Sequence, residues 1–183
     1  MTTIFAYTGT VSGSAISVAN GTREEKLAYL FPNGVPTSES ELSTYMTDAT
    51  VAMTTRSGVK TTGTITVHRA VVADVQEVFQ AAQNAGFKIY EAYGYNYREM
   101  NNGGSGRLSH HSYGIAIDIN VDENYSHRGS TVYAGSFWDP ARSEFSIPRG
   151  GVLYNAFIAK GWKWGGDWSG NYQDYMHFSF TGN

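Results

Sequence analysis

The chain has 183 residues, 41% hydrophobic and 16% charged, with a formal net charge of −3. That length supports one well-buried core and would cramp two full domains. The slightly acidic balance lacks the basic stripe that tracks phosphates, so no nucleic-acid partner is expected. The absence of cysteine excludes a disulfide framework, a thiolate zinc finger and a cysteine nucleophile, and any metal has to sit on His and Asp.

Residues 1–21 are rich in Thr, Ser, Gly and Ala and alternate weakly around Ile16 and Val18. They read as a short hairpin or loosely attached arm without chemistry, and 22–183 reads as one domain. Thr22 followed by Glu25 caps a helix to Phe31, with Leu27 and Leu30 on one face. Pro32-Asn33-Gly34-Val35-Pro36 forces a turn, and Ser38 with Glu41 opens a short helix through Tyr45 and Met46. Thr61 to Val67 alternates as a half-buried strand does. The clearest helix spans Ala70 to Ala85, with Val71, Val75, Val78, Phe79 and Ala82 as its stripe and Gly86 as its stop. It should cover one face of a sheet.

Phe87 to Tyr93 reads as a strand, and Gly94 to Arg107 as a loop rich in Gly and Tyr. Gly114 to Asn120 alternates strictly: Ile115, Ile117 and Ile119 point one way, while Gly114, Ala116, Asp118 and Asn120 point the other. His111 has the opposite parity to Asp118 and belongs to the turn leading into that strand. A helix from Val152 to Ala159 stops at Gly161, and a last strand runs from Tyr175 to Phe180, with Asp174 at its start. Mixed helices and strands without regular βαβ alternation predict an α+β fold with a mainly antiparallel sheet flanked by helices. Met1 to Ala6 carries no basic n-region and no window reaches the roughly 20 apolar residues of a membrane span, so neither an export signal nor a span is expected in this chain.

The chemistry concentrates in two motifs, Ser109-His110-His111-Ser112-Tyr113-Gly114-Ile115-Ala116-Ile117-Asp118 and Asp174-Tyr175-Met176-His177. A hydrolytic Zn²⁺ takes about three protein ligands from imidazole and carboxylate and leaves a position open. His111, Asp118 and His177 supply three, and Asp174 is left over as a base. His110 is the rival to His111. His68 and His127 read as structural, and Asp122, Glu123 and Asp139 as solvated loop carboxylates. Trp162, Trp164 and Trp168 read as core and cleft wall, with a sugar-stacking platform as the other option.

Ser109-x-His111-x-x-Gly114-x-Ala116-x-Asp118 followed by Asp174-x-x-His177 resembles the M15 zinc peptidases, most closely the branch with VanY-like D,D-carboxypeptidases and L-alanyl-D-glutamate endopeptidases of endolysins. The likeness covers roughly 31–180. It is strongest from Tyr95-Asn96-Tyr97-Arg98 onward and includes Trp164-Gly165-Gly166-Asp167-Trp168. It implies a Hedgehog/DD-peptidase-like fold, Zn²⁺ on His111 rather than His110, with Asp118 and His177, and Asp174 as general base. It also implies Arg98 near the scissile carbonyl or a substrate carboxylate, and Ser109 and Tyr97 lining the cleft. The implied substrate is the peptidoglycan stem peptide, cut by metal-activated water at the bacterial cell wall, whether by a host enzyme or a phage-type lysin, and a monomer is expected. The loop from Tyr125 to Ile147 should decide between a carboxypeptidase and an endopeptidase. The alternatives are a catalytically silent zinc-stabilised module and a wall-carbohydrate-binding module.

Overall fold

The computed structural model describes residues 18–100 and 104–182. Most of the expected N-terminal arm therefore lies outside the described residues. Helix α1 (Arg23–Leu30) starts with the reciprocal cap expected: the Thr22 side chain accepts from the Glu25 amide, and Glu25 accepts from the Thr22 amide. Its buried Lys26 donates to the carbonyls of Gly161 and Phe180, at 2.5 and 2.8 Å, tying the helix to the C-terminal segment. Helix α2 (Glu39–Ser43) is capped by Ser38 as read.

The hairpin β1 (Met46–Thr54) and β2 (Lys60–His68) pairs antiparallel from Met46↔His68 to Thr54↔Lys60. Only β2 is legible in the sequence; the helix expected through Tyr45 and Met46 ends at Ser43, and Met46 already begins β1. Helix α3 (Val72–Asn84), preceded by a 3₁₀ turn at Arg69–Val71, buries Val75, Val78, Phe79 and Ala82. These join Ala49, Val51, Ile65 and Val67 in one hydrophobic cluster. The segment read as a strand from Phe87 is reduced to β3 (Ala92–Tyr93).

Strands β3, β4 (Ala116–Ile119), β9 (His177–Ser179) and β7 (Lys163–Trp164) form a four-stranded sheet in the order β3-β4-β9-β7. Ile115, Ile117 and Ile119 are fully buried, as their parity requires. Helix α4 (Val152–Ala159) adds Leu153 and Phe157 to the same core. The region from Tyr125 is not an open loop: β5 (Asn124–Arg128), β6 (Thr131–Trp138) and β8 (Tyr172–Asp174) form a second antiparallel sheet, ordered β6-β5-β8. The molecule is thus one α+β domain with four α-helices and three small antiparallel sheets among the described residues. None of those helices is long and apolar enough to cross a membrane.

One expectation changes here, and the core reading of two tryptophans holds. Glu123 is buried rather than solvated, because Arg56 pairs with it at 2.7 Å and the Tyr90 hydroxyl donates to it at 2.5 Å. Trp162 and Trp164 are fully buried, and the Trp164 indole donates to the Tyr175 carbonyl at 2.8 Å. Those two rings offer no face to a sugar.

His68 is structural, as read: it is buried against Tyr45 and Phe31, and its Nδ1 accepts from the Ala70 amide. Burial, helped by the nearby Arg69 charge, lowers its pKa from 6.5 to about 4. The unfolded chain therefore takes up this proton first as pH falls, so His68 costs stability between pH 6.5 and about 4 and nothing above that window. At about 1.4 kcal/mol per unit, unfolding in urea should show the wild type losing about 2 kcal/mol more than His68→Asn between pH 7 and pH 5. Parallel pH profiles would show that His68 is not the group responsible.

Candidate metal centre and cleft

The register of β4 against β9 places Asp118 directly opposite His177. Directly paired residues on adjacent strands have Cβ atoms about 5 Å apart, so the backbone ladder alone brings this carboxylate and imidazole together. His177 Nδ1 lies 2.9 Å from Asp118 Oδ1. His111 reaches them from the 3₁₀ turn His110–Tyr113, where Ser109 caps the start and its Oγ accepts from the His111 amide at 3.3 Å. Gly114 ends the turn at φ 65. Any Cβ there would come within 2.6 Å of the His68 amide nitrogen, so both conformation and space require glycine. The turn feeds His111 onto the Asp118 face despite its opposite parity, and the three side chains offer ligand atoms within 4.8 Å of one another.

These residues fit a cation. His111 Nδ1 lies 2.6 Å from the Gly94 carbonyl, which can only accept, so Nδ1 carries the proton of the neutral ring and Nε2 its lone pair. That Nε2 is buried without a hydrogen-bond partner among the described residues, although Asp118 Oδ2 lies 3.1 Å away. A lone pair facing a carboxylate oxygen at that distance needs positive charge between them. The titration tendencies agree. Burial disfavours the charged form of His111, yet Asp118 outweighs it and raises the pKa. Burial also works to raise the Asp118 carboxyl, yet His111 and His177 hold it well below the usual carboxylate range. His110 stands outside the group: its ring is 6.3 Å from that of His177, and burial, with His177 adding, lowers its pKa to about 3.

Asp174 comes from the other sheet. It ends β8 opposite Ser126, and the chain turns through Tyr175 and Met176 before His177 starts β9. It does not share the last strand with His177. Its Oδ1 is buried without a hydrogen-bond partner among the described residues. Burial pushes this carboxyl up to about 6, with His177 opposing and Asp118 adding. Arg98, Asp118 and Asp174 line one cleft of about 370 Å³ with Ser126, Arg128, Tyr172 and others. The ion-paired arginines are Arg56, Arg142 and Arg149, so among the described residues Arg98 has no carboxylate partner and is not spent in a surface salt bridge.

The structure does not bring Ser109 or Tyr97 to this cleft. Ser109 is buried as the cap of the His111 turn, and Tyr97 faces a neighbouring groove, its hydroxyl donating to the Thr37 carbonyl at 3.3 Å. Sequence reasoning missed the wall supplied by β5, β6 and β8. Its one partial signal was the tryptophan run: Trp168 packs 5.6 Å from the His177 ring.

Residues 103–180 match the model of an M15 peptidase family described as D-alanyl-D-alanine carboxypeptidase. No solved structure matches the chain.

Proposed function

With residues 103–180 identifying this chain as an M15-family peptidase, we propose that it is a zinc-dependent hydrolase of peptide bonds in the peptidoglycan stem peptide, acting at the bacterial cell wall. The observation that carries this reading is the His111, Asp118 and His177 group, two buried imidazoles around a half-buried carboxylate, with a carboxylate oxygen of Asp174 that has no hydrogen-bond partner among the described residues in the same cleft as Asp118.

His111 through Nε2, Asp118 through its carboxylate and His177 would hold the zinc. When bound, Zn²⁺ supplies Lewis acidity for a peptide carbonyl and lowers the pKa of water from 15.7 to about 7. Asp174, whose carboxyl burial pushes up, accepts the proton of the attacking water and delivers it to the leaving amine. Arg98 aims a guanidinium at the negative charge that grows on the carbonyl oxygen. Gly94 and Ser109 hold His111 in one tautomer and one orientation.

Mass spectrometry of purified peptidoglycan digested with the protein tests this. The expected result is peptide fragments that disappear with chelator and return with zinc, their masses naming the bond as D-Ala-D-Ala or L-Ala-D-Glu. Undigested peptidoglycan in the presence of zinc would refute the substrate.

A further inference from the structure

The cleft continues past Asp174 along the second sheet. The β5/β8 register pairs Ser126 with Asp174 and Arg128 with Tyr172. Alternate residues share a face of a strand, so these four side chains point into the same cleft. Arg128 stands one two-residue repeat, about 7 Å, along the strand from Ser126 and its partner Asp174. Its guanidinium lies over the Tyr172 ring, 5.1 Å from the centroid. Like Arg98 it is absent from the arginine ion pairs of the described residues.

An aromatic wall leads from the metal group to this point. Trp168 lies 5.6 Å from His177, Tyr172 5.2 Å from Trp168, and Tyr133 6.0 Å from Tyr172. A bulge in β6 supplies Tyr133: Ser126 pairs with Ala134 and His127 with Val132, leaving Tyr133 as the extra residue that the bulge turns towards the cleft. Gly135 serves the neighbouring register shift, between Ala134 and Trp138, since it sits at φ 74 and a Cβ there would come within 2.2 Å of the Val121 carbonyl oxygen.

Stacking on Tyr172 fixes where the guanidinium sits while leaving its fork of donors free, and that fork matches a planar carboxylate. We propose that Arg128 is a specificity-determining residue of this cleft, receiving a carboxylate of the peptide one or two residues from the bond held beside Asp174. This rests on the peptidase reading above. The carboxylate is either the C-terminus of the peptide or an acidic residue within it.

Kinetics of the zinc-loaded wild type and Arg128→Gln separate these sources on three stem peptides: one with both carboxylates free, one amidated only at the C-terminus, and one amidated only at the internal acid. On the free-acid peptide Arg128→Gln should raise KM roughly 10- to 100-fold with kcat held, the range for a hydrogen bond to a charged group. Arg128→Lys should recover only part of this. The amide that erases the difference between wild type and variant identifies the carboxylate. An equal effect of Arg128→Gln on all three peptides, or none, would overturn the assignment. Calorimetric binding of the free-acid peptide to Asp174→Asn, with and without Arg128→Gln, keeps the two ideas apart. Arg128-dependent binding without turnover in the wild type would refute the reaction and uphold Arg128. Binding that is absent or indifferent to Arg128→Gln would refute Arg128.

Discussion

Asp174→Asn is expected to lower kcat on a defined stem peptide by roughly 10²- to 10⁴-fold, the usual contribution of a positioned acid and base, while the protein keeps its zinc and its fold. Asn is close to isosteric with the carboxylic acid, so β8 should still end against Ser126. What disappears is the ability to take and return a proton at a buried oxygen that has no hydrogen-bond partner among the described residues. Steady-state kinetics with elemental analysis of the same preparation checks this. Loss of zinc would make Asp174 a ligand, and wild-type turnover would remove it from the chemistry.

Arg98→Ala should lower kcat and kcat/KM together by roughly 10²- to 10³-fold, as loss of a single donor to a developing oxyanion does. Arg98 lines the cleft with Asp118 and Asp174. Its backbone is anchored separately, the amide donating to Ser112 Oγ at 2.9 Å, so the truncation should remove the guanidinium without moving the loop. Arg98→Lys should rescue little, because a point charge does not reproduce the planar fork. A rise in KM at constant kcat would make Arg98 a carboxylate clamp, and wild-type constants would exclude it from the site.

The parts of the fold legible in the sequence are those where local chemistry and tertiary packing agree. The Thr22 and Ser38 caps, the stripe of α3 and the alternation around Ile115, Ile117 and Ile119 all declare themselves within a few residues. The convergence of His111, Asp118 and His177 was legible for the same reason: Asp118 and His177 each sit at a fixed parity on a regular strand, and a capped turn carries His111. The hidden elements are those whose pattern is set at a distance. Strand β1 buries the small side chains of Ala49 and Val51 among threonines, a weak apolar signal next to a strong helix cap. Strand β5 is polar on the cleft side, and its pairing with β6 is broken by register shifts, which destroys the period of two. The far wall of the cleft was illegible for that reason, and so was the separation of Asp174 from the last strand. Tyr97 was misplaced because its neighbour Arg98 carries the motif, while its own side chain turns to the adjoining groove.

The most direct test is a zinc titration of chelator-treated protein, followed by release of peptide fragments from peptidoglycan, for the wild type, His111→Ala and His177→Ala. Wild-type activity should rise with added zinc and saturate at one equivalent, and neither variant should gain activity or retain zinc after gel filtration. Wild-type activity indifferent to zinc, or either variant saturating at one equivalent, would contradict a catalytic zinc held by His111, Asp118 and His177.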